Sequence, residues 1–402
     1  MTATPRQAVT LFLTFAFTYF LSALLRAVTA TLAPVFSAEL GLKAADLGLL
    51  SGAFFLGFAC MQLPLGKALD RWGPRCTLLV LLSAAVLGCA AFAWAQGLTA
   101  LTAARVLIGA GVGACLMAPL TLYRRLFSDA AQLRANSWML MTGSLGMLAS
   151  TLPVQWLLPQ IGWRGLFWAL AGLLAVGMAL IAWKVPPDPA PASAGGPAVR
   201  YRDIVRHPMF LRMAPLAFFL YGGMIAVQAL WAGPWFTRVT GLAPDAAAQG
   251  LFGINLSMLA AFFAWGWLMP RLVLRGFDAA GLMALGVPVA LLLLFVNAAL
   301  GAQAGPAHWA LWCVASTFVS VSQPAVGAAF PSEQAGRALS AFNLVIFSGV
   351  FCVQWGIGLL VDAVRRAGVA EADAFRVAFA ALGLCCVLSY AWFMHRQPAS
   401  NP

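Results

Sequence analysis

Acidic side chains are scarce in this chain: 12 Asp and Glu stand against 24 Lys and Arg over 402 residues. None of the twelve falls in the middle of a long apolar run. Charged residues of both signs make up 9% of the chain and hydrophobic ones 62%, where soluble domains carry roughly 25% charge. A soluble globular fold is therefore excluded. There are only three histidines, no HExxH, no GxSxG in a usable context and no acid–base–nucleophile set, which excludes the familiar hydrolytic enzymes. Neither a cofactor nor a resident metal is expected. The eight cysteines (60, 76, 89, 115, 313, 352, 385 and 386) show no metal-type CxxC spacing and read as small apolar packing residues. The first apolar run is too long for a cleavable leader and lacks a small-residue cleavage site.

What the chain does have is length of apolar sequence. Twelve stretches approach the roughly 20 residues needed to cross a hydrocarbon core. They begin near Val9, Leu47, Cys76, Thr99, Ser137, Gly165, Phe210, Ala248, Ala280, His308, Leu339 and Phe375. The expected fold is an all-α integral membrane protein. With the N-terminus inside, sixteen Lys and Arg fall in inner segments and six in outer ones, Arg26 and Arg105 set aside. That positive-inside bias predicts that both termini are cytoplasmic; a bacterial inner-membrane protein, monomeric in the bilayer, is the accompanying expectation. The net charge of +12 thus reports topology and not nucleic-acid binding.

A Pro/Ala/Gly stretch followed by basic residues, VPPDPAPASAGGPAVRYRDIVR, reads as a cytoplasmic linker over 186–207. It separates six spans in 1–185 from six in 208–402. Gly66-Lys-Ala-Leu-Asp70-Arg71 after the second span recurs as Gly266-Trp-Leu-Met-Pro270-Arg271, and Arg134-Ala-Asn-Ser137 recurs as Arg337-Ala-Leu-Ser340. The two offsets, 200 and 203, nearly agree. They predict two pseudo-symmetric six-helix bundles with a site at the repeat interface.

Two cations stand where none is cheap. Arg26 and Arg105 lie inside apolar runs, each six to eight residues from the outer end of its span. At 1.5 Å per residue, both sit roughly 10 Å below the outer surface. An embedded cation costs several kcal/mol and marks a functional site by default. With no embedded acid, the missing negative charge is expected to arrive with a substrate, and guanidinium forks match carboxylate or phosphate.

The segment GKALDRWGPR resembles motif A of the major facilitator superfamily, G-x-x-x-D-R/K-x-G-R/K-R/K. Gly66, Asp70, Arg71, Gly73 and Arg75 match it, and Pro74 replaces a usual basic residue. Leu101-Thr-Ala-Ala-Arg105-Val-Leu-Ile-Gly109-Ala-Gly111 is similar to that superfamily's fourth-helix motif, and Gly162-Trp-Arg-Gly-Leu-Phe167 to its turn before helix six. The resemblance implies alternating access by two rocking bundles. It also implies that helices one, four, seven and ten line the path, and that Asp70 latches the inner side against the start of helix eleven. A helix N-terminus favours such an anion by about 0.3–1 kcal/mol. The fifth-helix motif of drug antiporters is not matched in TGSLGMLASTLP. In this superfamily the fourth-helix arginine is often bonded to backbone carbonyls or implicated in proton movement, and organic-anion carriers often hold an arginine in helix one.

Polar stripes fall on the implied lining helices. Tyr19, Ser22, Arg26 and Thr29 share one face of helix one. Tyr221, Met224, Gln228, Trp231 and Trp235 form a stripe on helix seven. Ser316, Ser320 and Gln323 lie on helix ten beside Pro324, and Asn343 and Gln354 share a face of helix eleven. The substrate-binding candidates are Arg26, Tyr19, Ser22, Arg105, Tyr221, Gln228, Trp231, Gln323 and Asn343. The function expected is secondary transport of a small organic anion, with symport of a proton or another ion as the candidate coupling. Nitrate or nitrite carriage, drug or metabolite efflux, copper import through Met209 and Met213, and a non-transporting sensor or assembly factor stand as alternatives.

Overall fold

The computed structural model describes residues 4–127, 129–187 and 201–396, and no strand occurs among them. In lipid every backbone N–H and C=O must be satisfied within its own segment, which leaves helices as the default for these apolar runs. Helix α1 is Pro5–Leu40. One run of winding, Ala44–Trp94, breaks at Gly73 (φ 79°, ψ 168°) into α2 (44–72) and α3 (74–94). The left-handed φ at this turn favours glycine, which accounts for the second glycine of the motif A resemblance. Helix α4 comes in two pieces, Leu98–Gly111 and Met117–Leu126, joined by a turn over 112–116. Helix α5 begins as Asp129–Ala149 and resumes over 152–161, where Gly162 (φ 64°) turns the chain into α6 (163–184).

The remaining helices are α7 (Pro208–Val239), α8 (Pro244–Leu274), α9 (Ala279–Leu300), α10 (Pro306–Ala328), α11 (Ser332–Arg366) and α12 (Glu371–His395). Ten stretches are individually long and apolar enough to cross a bilayer, and the two broken helices supply the shorter pieces Leu98–Gly111 and Trp138–Ala149. The fold is thus an all-helical membrane fold that accommodates twelve spans. Of the expected linker, 188–200 lies outside the described residues, while Tyr201–Arg206 forms a short helix before α7.

By packing, the chain divides into two compact units, Met1–Thr29 with Ala53–Pro197 and Ala30–Gly52 with Ala198–Pro402. The second unit therefore includes the C-terminal end of α1 and the first turns of α2.

Glycine sets the helix spacing in the first unit. A Cβ on Gly109 of α4 would lie 1.9 Å from the Phe54 carbonyl oxygen, and one on Gly57 of α2 would lie 2.0 Å from that of Val106. Gly111 meets the Ala85 backbone of α3 at 2.3 Å, and Gly146 of α5 meets the Phe20 carbonyl at 2.3 Å. Without a hydrophobic drive between helices in lipid, such backbone contact is what holds them together. Around it Phe92 stacks on Phe167 at 4.0 Å and meets Trp163 edge-on.

Aromatic packing dominates the second unit. Trp231, Trp235, Trp309 and Trp312 are all fully buried; the first three meet Phe375 or Phe379 in edge and tilted contacts, and Trp312 meets Trp309 edge-on. Helix α10 tightens to 3₁₀ winding over Thr317–Val321, just before Pro324, whose missing N–H weakens the ladder there. Helix α7 does the reverse. Ala217–Tyr221, Val227–Trp231 and Trp235–Val239 are wound with i→i+5 hydrogen bonds, separated by α turns. Such wide turns are rare and concentrate at functional sites.

Candidate functional site

In the first unit the predicted face of α1 is assembled as a cluster. Tyr19 is 6% exposed and Ser22 fully buried, while Arg26 is half-buried. Two helical turns along this face, Arg26 lies within electrostatic reach of Tyr19. Cys115, from the turn that breaks α4, lies beside Ser22, Tyr19 and Arg26. The ring of Tyr19 is backed by Gly143 of α5, where a Cβ would come within 2.7 Å. The Arg26 guanidinium stands over the Phe58 ring at 5.4 Å.

Arg105 is placed differently. It is fully buried, donating from Nη1 to the Leu25 carbonyl at 2.9 Å and from Nη2 to Thr29 Oγ1 at 2.6 Å. Its guanidinium also lies over Phe54 at 5.1 Å. Its two partners bracket Arg26 in sequence, so both cations occupy one level of α1. The fork of Arg105 braces α4 against α1, and Arg26 is the more accessible of the two.

In the second unit the candidates divide among neighbours. Gln228 donates from Nε2 to Asn255 Oδ1 of α8 at 2.8 Å, and Asn255 donates to the Leu251 carbonyl at 3.0 Å. Trp231 donates to the Gln354 carbonyl of α11 at 3.1 Å, and Trp235 to that of Ala304 at 2.9 Å. The expected single stripe on α7 thus addresses three different neighbours. The reason is its winding, because each i→i+5 turn takes in an extra residue and rotates the side chains beyond it. Tyr221 is half-buried at the end of the first such turn. Gln323 of α10 donates to Asn343 Oδ1 of α11, which is 6% exposed. The serines of α10 are spent locally, Ser316 on the Trp312 carbonyl and Ser320 on that of Thr317.

A family model described as Major Facilitator Superfamily matches residues 15–318, about three quarters of the chain. The chain belongs to the major facilitator superfamily. As a member it is a membrane carrier and not an enzyme. No curated sequence matches it. Among solved structures it resembles a bacterial homologue of the human lysosomal transporter Spinster, inward-facing and occupied, at 16% identity and TM-score 0.79, covering 98% of this chain and 97% of that one. It also resembles a D-xylose–proton symporter (16%, TM-score 0.74, 96% of each chain) and the nucleoside transporter NupG (13%, TM-score 0.73, 97% and 98%).

The superfamily's motif A residues lie at the α2–α3 turn. Arg71 is exposed, and Arg75 donates to the Ala182 carbonyl at the end of α6, tying α3 to α6. Gly66 has nothing within 4 Å of where a Cβ would stand. The Asp70 side chain lies outside the described residues. Asn255 is absent from the sequence-based candidates, although a lone amide in the run GINLSML carries the general signal of a polar residue in a span. Cys115 carries no such signal, since only the break in α4 aims it at α1.

Proposed function

We propose that this chain is a secondary active transporter that carries a small organic anion across the bacterial inner membrane, with both termini cytoplasmic. Two six-helix bundles, 1–185 and 208–402, joined by the linker 186–207, alternate access to the substrate, and the gradient used is that of a co-transported proton or other ion. The observation that carries this reading is the pair of arginines at one level of α1. Arg105 is committed to the Leu25 carbonyl and Thr29, whereas Arg26 is half-buried beside Tyr19 and Ser22. Arg26 anchors the anionic group, with Tyr19 and Ser22 flanking it and Arg105 fixing the helix that presents it. The amide pairs Gln228–Asn255 and Gln323–Asn343, with Tyr221, serve the uncharged end of the substrate. Trp231, whose indole N–H is committed to the Gln354 carbonyl, contributes by packing within its own bundle.

The test combines a ligand screen with substitution of Arg26. A ligand that binds only the folded state raises stability by RT ln(1 + [L]/Kd), so even modest binders register in a thermal-shift panel. Carboxylates and phosphonates are expected to shift melting, and hydrophobic cations are not. Arg26→Lys keeps the charge and loses the fork, and should weaken binding about tenfold or more, a cost of about 1.4 kcal/mol. Arg26→Ala should remove both the ligand shift and uptake while melting without ligand stays near the native value. If cations give the largest shifts, or uptake survives Arg26→Ala, the anion reading is wrong.

A further inference from the structure

One seam of the second unit has the composition of a reversible closure. Helix α2 begins at Ala44, and its first amides would be unsatisfied without an acceptor. The Ala45 N–H donates to Asp362 Oδ2 of α11 at 2.9 Å, across 317 residues of sequence. Asp362 is only 7% exposed. One turn earlier in α11, a Cβ on Gly358 would lie 2.4 Å from the Ala44 carbonyl oxygen. One turn further along α2, a Cβ on Gly48 would lie 2.3 Å from the Gln354 carbonyl oxygen, and Gly52 meets Phe351 at 3.0 Å. The two helices therefore run antiparallel with backbone against backbone. The end of α1 closes in the same way, since a Cβ on Gly233 of α7 would lie 2.4 Å from the Ala30 carbonyl oxygen. Arg238 at the end of α7 bonds to Ser37 and pairs with Glu371 at 3.2 Å, to which Arg365 adds a contact at 3.6 Å.

The spacing Gly358-x-x-x-Asp362 is that of Gly66-x-x-x-Asp70. In α11 the glycine admits the partner helix and the aspartate, one turn on, caps it, whereas Gly66 has no neighbour within 4 Å of its Cβ position. Both copies lie at the C-terminal ends of their helices, one on α2 and one on α11.

We propose that Gly358 and Asp362 form an outer latch that closes on the N-terminus of α2, with Gly48 setting the depth of closure. The name "outer" rests on the orientation given under Proposed function. The closure is fit for repeated use. The contacts of Gly48 and Gly358 are with backbone and need no side chain re-sorted, and the buried carboxylate exchanges the Ala45 N–H for water when α2 departs. The start of α2 and the end of α11 are thus paired at this face through a glycine and an aspartate four residues apart.

Ser51, fully buried near this seam, provides the reporter. Ser51→Cys is introduced into a variant lacking the native cysteines, and labelling by a membrane-impermeant maleimide is followed in right-side-out and inverted vesicles. The Ser51→Cys background should label slowly from outside. Adding Asp362→Ala should raise the outside rate about five- to tenfold, as loss of a helix cap predicts. Asp362→Asn, which keeps an acceptor without its charge, should fall between. Gly48→Val, which cannot close, should label fastest and lose transport. If Asp362→Ala and Asp362→Asn, both folded by melting temperature, label no faster than the background, the latch is overturned, whatever becomes of Gly48→Val. If rates rise only in inverted vesicles, the assigned orientation fails and the outer latch fails with it. Neither result bears on the anion screen, which reads substrate and not closure.

Discussion

Gly109→Leu is expected to abolish nearly all folded protein. A Cβ alone would stand 1.9 Å from the Phe54 carbonyl oxygen and 2.7 Å from its carbon, so the obstacle is backbone that no rotamer change can move. Overpacking a tight core costs roughly 1–3 kcal/mol when side chains can shift, and more where they cannot. The reciprocal contact, Gly57 against the Val106 carbonyl at 2.0 Å, prevents α2 and α4 from sliding to make room. The whole bracing of α1 by Arg105 depends on this crossing. Size-exclusion yield and melting temperature in detergent measure the effect. Gly172→Leu is the control, because Gly172 of α6 is exposed with nothing within 4 Å of its Cβ position, and it should behave as the native protein. Near-native yield and melting of Gly109→Leu would show that the α2–α4 crossing is looser than it stands here.

Arg105→Ala should lower stability by about 2–4 kcal/mol and leave the chemical class of ligand unchanged. Three effects compete. Truncation removes a large side chain from a fully buried site, and it removes two charge-assisted hydrogen bonds, those to the Leu25 carbonyl and Thr29. Against these it relieves the cost of holding a cation away from water. Arg105→Met separates them, since it restores most of the volume and needs no partner. The methionine variant is therefore expected to melt closer to native than the alanine variant. Lysine cannot reach both acceptors with a planar fork, so Arg105→Lys should fall below methionine despite keeping the charge. Thermal melts with and without the best anion from the screen read this series. An Arg105→Ala protein that melts normally and has lost its ligand shift would make Arg105 a ligand contact and overturn the division of labour with Arg26.

These two residues also show how far the sequence can be read. Apolar length is visible in composition, so the spans and the all-helical fold come directly from it. The turn at Gly73 comes from a glycine motif whose φ is +79°. The common level of Arg26 and Arg105 comes from counting residues at a fixed rise. What cannot be counted is winding. The run from Ala217 to Val239 has the same apolar character whether wound as α or with i→i+5 bonds, and a stripe laid out at 3.6 residues per turn cannot tell them apart. The break at 112–116 in α4 is hidden for the same reason, and with it the approach of Cys115 to Tyr19. Contacts across long separations are equally silent. Nothing near Asp362 in sequence says that Ala45 waits for it, and the two offsets that reveal the duplication give no sign that residues 30–52 pack with the second unit.

The winding of α7 has a consequence for how this chain can change over time. A turn closed by an i→i+5 bond contains one residue more than an α turn of the same kind, so between Ala217 and Val239 the helix holds three residues in excess of an all-α path. In an ordinary helix, losing one residue swings every later side chain by about 100°. In α7 a loss at Val227–Trp231 can be met by that turn relaxing to α winding, with the residues beyond it left facing the neighbours they already have. The three wide turns are slack in the reading frame of the fold. They allow the set of side chains presented to α8, α9–α10 and α11 to be lengthened, shortened or exchanged in sequence while the glycine crossings on either side stay where they are.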